Sequence, residues 1–406
     1  MNPFDIYVNK TVPLKFRGAD MSFELSHALF SSFDVDQGSR LLLKAVAKNV
    51  DASVVGSILD VGSGVGVLGV ACARGYPGAS LRMRDRDALA CVFSVRNAKR
   101  NKVVPVSVDR ALFLDGIEGE RFDLALCNVP AKAGPPVLDR FLRDLPGAVS
   151  ERGYGAVVVV EPIAEASLAS IVASGAEMVH AERGPGHSAY VFRRGRAADA
   201  APGSFWPALE RSEQTLRAGR SSYRVKGYWG LPEFDTPSFA TEMMIGMCEN
   251  AMAGLLTRRA LVVNPGVGRT AGYIRARAKG ATIDLCGRDS LALAASAANL
   301  GSGPAGARAD GDSVPAPAVA AYAFTAELPD ASYDLVAEQP DITPRVDTFD
   351  SCWSEAARVL KRGGSYVSAM PSAAMDRFEK RRPKGFVRVA ERKKKGFACA
   401  AWRLES

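Results

Sequence analysis

Four polar side chains stand where short apolar runs end: Asp60 after SIL, Asp85 after LRMR, Asp109 after VVPVSV and Asn128 after FDLALC. Between the first two lies Gly62-Ser63-Gly64-Val65-Gly66, followed by a helical-looking VLGVACAR. Glycines between a strand and a helix let a ligand approach the backbone and tolerate positive φ. The helix start behind them offers free N–H groups. A carboxylate at Asp60 suits a cationic amino-acid group. Asp85, ending the next strand, is placed for ribose hydroxyls, and Asp109 for the exocyclic amine of adenine. All four positions fall at the carboxyl ends of expected strands, where open parallel sheets bind ligands. Gly64 to Gly69 also fits G-x-G-x-x-G, so a dinucleotide stands beside a methyl-donor nucleoside as a reading. Against the dinucleotide stand the negative charge of Asp60 near a pyrophosphate, the Asn128-x-Pro130 that follows the fourth strand, and an antiparallel hairpin closing the sheet.

These residues need a scaffold, and the sequence writes that scaffold twice. FDVDQGSRLLL (33–43), SILDVGSGVGVLGVA (57–71) and RDRDALACVFSVRNAKRN (84–101) recur as DTPSFATEMMI (235–245), ALVVNPGVGRTAGYI (260–274) and CGRDSLALAASAANL (286–300). The offset is about 202 residues throughout, which points to a duplication. Apolar runs alternating with helical stretches predict an α/β fold, a mostly parallel sheet with crossover helices. Each copy ends in two strand-like runs around a polar turn, an antiparallel closing hairpin. The expected domains are 1–195 and 221–406, with 196–220 as a linker of Arg, Ala, Gly and Pro. GSGPAGARADGDSVPAPA (301–318) reads as a long surface loop inside copy two.

The 406 residues suffice for two such domains, and 47% hydrophobic with 24% charged residues is globular composition. No run reaches the roughly 18 consecutive apolar residues of a membrane span. The N-terminus lacks signal-peptide order. A soluble, cytoplasmic protein is expected. Seven cysteines without a C-x-x-C pair and three histidines without ligand spacing give no disulfide framework and no metal site. The net charge of +8 is uneven, because Arg377–Lys395 holds ten basic residues and two acidic ones. Such a patch suits a polyanion or a solvated edge hairpin.

With Phe30-Ser31, Asp36-x-Gly38-Ser39, DVGSGVGVL, Asp85 with Asn97 and Asn101, and Asn128-x-Pro130, the chain resembles class I S-adenosylmethionine-dependent methyltransferases. More narrowly it resembles the tandem "small domain" group that includes rRNA guanine-N2 methyltransferases. The resemblance implies two tandem Rossmann-like domains. It implies that Asp60, Gly62, Ser63, Gly64 and Gly66 hold the methionine part of the cofactor, Asp85 the ribose and Asp109 the adenine. Asn128 and Pro130 would form the transfer site. It implies N-methylation of a base amine in structured ribosomal RNA, held partly by Arg392, Lys393, Lys394 and Lys395, with no membrane and no metal. Two departures stand out. The family's aromatic after Asn-Pro-Pro is missing from Asn128-Val129-Pro130-Ala131. Copy two carries Val262, Asn264, Gly287 and Glu338 for Asp60, Gly62, Asp85 and Asn128, which implies loss of catalysis there. A small-molecule or protein substrate, or a decayed RNA-binding protein, are the alternatives.

Overall fold

A computed structural model describes residues 3–30, 33–197, 205–218, 220–301, 318–319 and 328–405. The chain divides into two compact units, Met1–Leu209 and Glu210–Ser406.

Unit one opens with a hairpin, β1 (Lys10–Phe16) and β2 (Ala19–Leu25), then α1 (Gln37–Asn49). There follow β3 (Ser57–Val61), α2 (Val67–Gly75), β4 (Ser80–Asp85), α3 (Ala88–Arg100), β5 (Val106–Arg110), β6 (Phe122–Asn128), α4 (Pro135–Asp144), β7 (Val149–Val160), α5 (Ala164–Ala173), β8 (Glu177–Gly184) and β9 (His187–Arg193). The sheet order is β5-β4-β3-β6-β7-β9-β8. Strands β3 to β7 run parallel, and β9 is antiparallel to both β7 and β8. The central strands are apolar because helices cover both faces: Ile58, Leu59, Leu124, Ala125 and Leu126 are fully buried. Helix α1 starts where Asp36 caps it, its carboxylate accepting from Ser39 N at 2.9 Å. It then buries Leu42, Leu43 and Val46.

After a short helix α6 (Trp206–Leu209), unit two repeats this plan. It has a hairpin β10 (Glu210–Ala218) and β11 (Ser221–Tyr228), then α7 (Phe239–Met252), β12 (Arg259–Val263), α8 (Arg269–Arg277), β13 (Thr282–Gly287) and α9 (Ser290–Asn299). After these come β14 (Ala318–Val319), β15 (Tyr333–Glu338), α10 (Phe349–Val359), β16 (Leu360–Pro371), α11 (Ser372–Glu379), β17 (Phe386–Lys394) and β18 (Phe397–Leu404). Its order, β14-β13-β12-β15-β16-β18-β17, is the same topology. The duplication extends to individual hydrogen bonds. Asn97 bridges Glu24 and Val65 through its amide, and Asn299 bridges Lys226 and Val267 in the same way.

The structure redraws the linker. Strand β10 occupies most of 210–220, and residues 205–209 pack on unit one: Phe205 stacks on Phe113 at 4.9 Å and donates its N–H to Asp115. Composition missed this because the repeat begins at the hairpin, whose polar strand ERSEQTLRA has little apolar signal. Residues 198–204, and 302–317 of the expected loop, lie outside the described residues. All seven cysteines are buried and free. Among the described residues no helix is long and apolar enough to cross a membrane, and no His/Cys/Asp/Glu group suits a metal.

Candidate cofactor and transfer site

The glycine loop joins the end of β3 to the start of α2. Gly62, Gly64 and Gly66 have φ of 72°, 55° and 84°, the left-handed region that side chains avoid. A Cβ on Gly62 or Gly64 would meet nothing within 4 Å, so the loop presents bare backbone to open space. Ser63 is turned inward: its Oγ lies 3.0 Å from Ser94 Oγ, which in turn bonds Gly64 O. Its side chain therefore braces the loop.

Asp60 is fully buried beneath this loop. Its Oδ2 accepts from Gly69 N at 2.8 Å, capping the first turn of α2. Gly69 permits that approach, since a Cβ there would lie 2.9 Å from Oδ2. Asp60 Oδ1 has no hydrogen-bond partner among the described residues. A buried, half-satisfied carboxylate is costly unless a cation or donor completes it. Burial, and secondarily the charge of Asp85, push its pKa up to about 7 against the Gly69 hydrogen bond. The folded value thus exceeds the unfolded one. The associated stability is full below the ordinary carboxylate range and is lost as pH rises towards 7. A cationic ligand group at Oδ1 favours the ionised form. Binding is therefore expected to release a proton at about pH 6 and little above about pH 8. Calorimetry in two buffers of different ionisation enthalpy measures this, and equal heats at the lower pH would refute it.

Asp85 ends β4 and steadies both neighbouring turns. Its Oδ2 accepts from Gly64 N and its Oδ1 from Asp87 N, each at 2.9 Å. Asp109 departs from expectation. In the parallel β4–β5 pair it stands opposite Arg84. Its carboxylate is taken by Arg82 at 2.5 Å, with Arg84 at 3.6 Å. The sequence showed the acid at a strand end but not the two guanidinium groups sharing its face.

Asn128 ends β6, and its Nδ2 donates to Asp36 Oδ1 at 3.1 Å and to Ser39 Oγ at 3.2 Å. Both nitrogen-side bonds go to the start of α1, which leaves the amide oxygen as the acceptor for an incoming donor. Pro130 follows, its carbonyl accepting from Ala133 N at 2.9 Å. Ala131 and Lys132 are exposed, so no ring follows the transfer-site amide. The part of Asp36 and Ser39 in holding Asn128 emerges only from the fold, because the start of α1 and the end of β6 are about 90 residues apart in the chain.

Unit two has filled the equivalent site with its own side chains. Asn264 sits at φ 53° and donates to Gln339 O at 2.9 Å. Its Oδ1 would lie 3.1 Å from a Cβ on Gly287. Glu338 is fully buried, bonded by Tyr366 OH and by Cys352 Sγ, and burial pushes its pKa up to about 7. The register corrects the expected alignment: Glu338 lies opposite Val263 as Cys127 lies opposite Val61, so the counterpart of Asn128 is Gln339, whose Nε2 donates to Thr241 Oγ1 at 3.0 Å as Asn128 donates to Ser39.

Comparison with known proteins follows this division. Residues 20–180 match the family model of the methyltransferase small domain. The uncharacterized protein YbxB of Bacillus subtilis (strain 168) is 32% identical over 130 residues, which is 32% of this chain and 63% of that relative. The solved structure of the T. thermophilus 16S rRNA N2 G1207 methyltransferase (RsmC), in complex with AdoMet and guanosine, is 16% identical. It covers 98% of both chains with a TM-score of 0.68, a likeness of fold. The family match thus falls on the bulk of the first unit, residues 20–180, and the chain spans less than two thirds of the length of the curated relative it matches.

Proposed function

We propose that unit one transfers a methyl group from S-adenosylmethionine to a base amine of ribosomal RNA. Unit two would serve as a non-catalytic partner. The observation that carries the cofactor assignment is the orphaned, buried Asp60 Oδ1 beneath a loop of open glycines. That atom fits the cationic end of the cofactor's methionine part, and Asp85 fits the ribose. Bound S-adenosylmethionine supplies a methyl group already activated on a sulfonium. The chain then needs mainly to align the amine, and orientation alone contributes several kcal/mol. The amide oxygen of Asn128, fixed by Asp36 and Ser39, is the acceptor that would aim it.

RNA is favoured as substrate by the likeness of fold, over 98% of both chains, to an rRNA methyltransferase. Strands β17 and β18, the closing hairpin of unit two, support it less strongly than their charge suggests. Lys393 pairs with Asp376 and Glu391, and Lys394 with Glu242. Arg392 and Lys395 form no ion pair among the described residues. Replacing these two by alanine is expected to flatten the salt dependence of RNA affinity by about one log–log unit per lost phosphate contact. An unchanged slope would remove the hairpin from the RNA footprint. The reaction itself is tested by incubating the protein with labelled cofactor and either unmethylated ribosomal RNA, protein extract or small metabolites. Label in RNA supports the reading, and label confined to another pool refutes it.

A further inference from the structure

Methylating an amine leaves a proton to be placed. Asn128 and the backbone carbonyls orient an amine, but a neutral amide does not take its proton. One histidine stands beside this site. His187 opens β9, paired with Val160 at the carboxyl end of β7, the same sheet edge on which Asn128 lies. Its ring packs against the start of α1. A Cβ on Gly38 would lie 2.8 Å from His187 Cδ2, 3.2 Å from its Nε2 and 3.0 Å from Asp36 Oδ1. Those distances hold Nε2 and Asp36 Oδ1 within about 6 Å, a span that one bridging water covers. The same Asp36 Oδ1 accepts the Asn128 amide at 3.1 Å. The absence of a side chain at Gly38 is what admits the ring.

The tautomer follows from the other nitrogen. His187 Nδ1 lies 3.2 Å from the carbonyl of Pro185. A carbonyl only accepts, so Nδ1 carries the hydrogen and Nε2 keeps its lone pair. The charges on the surrounding elements are Asp36 at the start of α1, Glu161 after β7, Arg183 on β8 beside Glu161 at 3.9 Å, and the Lys44–Glu182 pair between α1 and β8.

We propose that His187 accepts, directly or through one water, the proton that the substrate amine gives up on methylation. The inference rests on the methyl-transfer reading of unit one. The amine nitrogen forms the new N–C bond, the C–S bond breaks with its electron pair going to sulfur, and one N–H proton passes to His187 Nε2. Nothing else is consumed. The other two histidines have different partners: His27 packs edge-on to Phe33, and His180 lies 3.6 Å from Glu182.

Because the sequence has three histidines, imidazole proton resonances identify His187 by comparison with His187→Gln. In the intact protein, adding S-adenosylhomocysteine and guanosine should move the His187 signal and leave His180 in place. In turnover, His187→Gln should lower kcat about 100-fold with KM unchanged. It should also abolish the wild type's loss of rate at low pH, where a protonated imidazole cannot accept. Added imidazole should partly restore His187→Ala. The proposal is overturned if calorimetry shows the cofactor product bound while the His187 resonance stays fixed. It is equally overturned if His187→Gln keeps the wild-type rate and pH profile. A wild type that methylates no RNA would instead count against the reading of the reaction, and the resonance would still judge the placement of His187.

Discussion

Replacing Asn128 by alanine is expected to lower kcat about 100-fold while the affinity for S-adenosylmethionine changes less than about threefold. Asn128 touches Asp36 and Ser39 through its nitrogen, and neither of these is among the groups proposed to hold the cofactor. Its removal leaves Asp36 still bonded to Ser39 through both N–H and hydroxyl, so the cap of α1 survives. What disappears is the oriented acceptor for the amine. Asn128→Asp should do no better than alanine. It would set a second carboxylate about 3 Å from Asp36, and like charges at that distance raise one pKa and disfavour both ionised forms. A kcat unchanged in Asn128→Ala, measured on the same RNA, would take this residue out of the mechanism.

The sequence disclosed the strand ends and concealed what neighbours do to them. The order of elements, the glycine turn and the duplication were readable because they depend on local periodicity and on turn chemistry that survives in one dimension. Asp60, Asp85 and Asn128 lie on the carboxyl edge of the sheet where alternation of strands and helices put them. Asp109 illustrates the limit: its position was legible, but its pairing with Arg82 and Arg84 depends on the register between two parallel strands. Ser63 is similar, since only packing of α3 against the loop turns its hydroxyl inward to Ser94. The boundary between the units was misplaced because a polar edge hairpin carries the composition of a linker. His187 gave no signal at all. Its turn, Gly184-Pro185-Gly186-His187, reads as an ordinary hairpin, and its nearness to Asp36 arises from two elements about 150 residues apart in the chain. In unit two the aligned letters Val262, Gly287 and Glu338 suggested loss of function. In the structure Asn264 lies over the position of the missing carboxylate, whereas Glu338, sealed into the core, aligns with Cys127, and Gln339 holds the place of Asn128; the one-residue slip was invisible without the pairing of the strands.

Asp85→Asn is expected to weaken S-adenosylmethionine binding by about 10- to 100-fold, the loss of one charge-assisted hydrogen bond at about 1.5–3 kcal/mol. Asparagine is preferred to alanine because Asp85 also accepts Gly64 N and Asp87 N. Alanine would release both turns and confound a lost ligand with a collapsed loop. Asparagine keeps one acceptor oxygen, and circular dichroism with thermal melting confirms the fold. The variant also probes the second carboxylate. The charge of Asp85 contributes to the raised pKa of Asp60. Removing that charge should lower the Asp60 value, so the proton released on binding should move to lower pH. Two readouts in one titration therefore separate the roles. Weakened binding with displaced proton release places the nucleoside at Asp85 and the cationic group at Asp60. Unchanged affinity with displaced proton release would leave Asp60 in the site and remove Asp85 from contact with the ribose. Unchanged affinity with unchanged release would move the cofactor away from this loop altogether, and with it the assignment of catalysis to unit one.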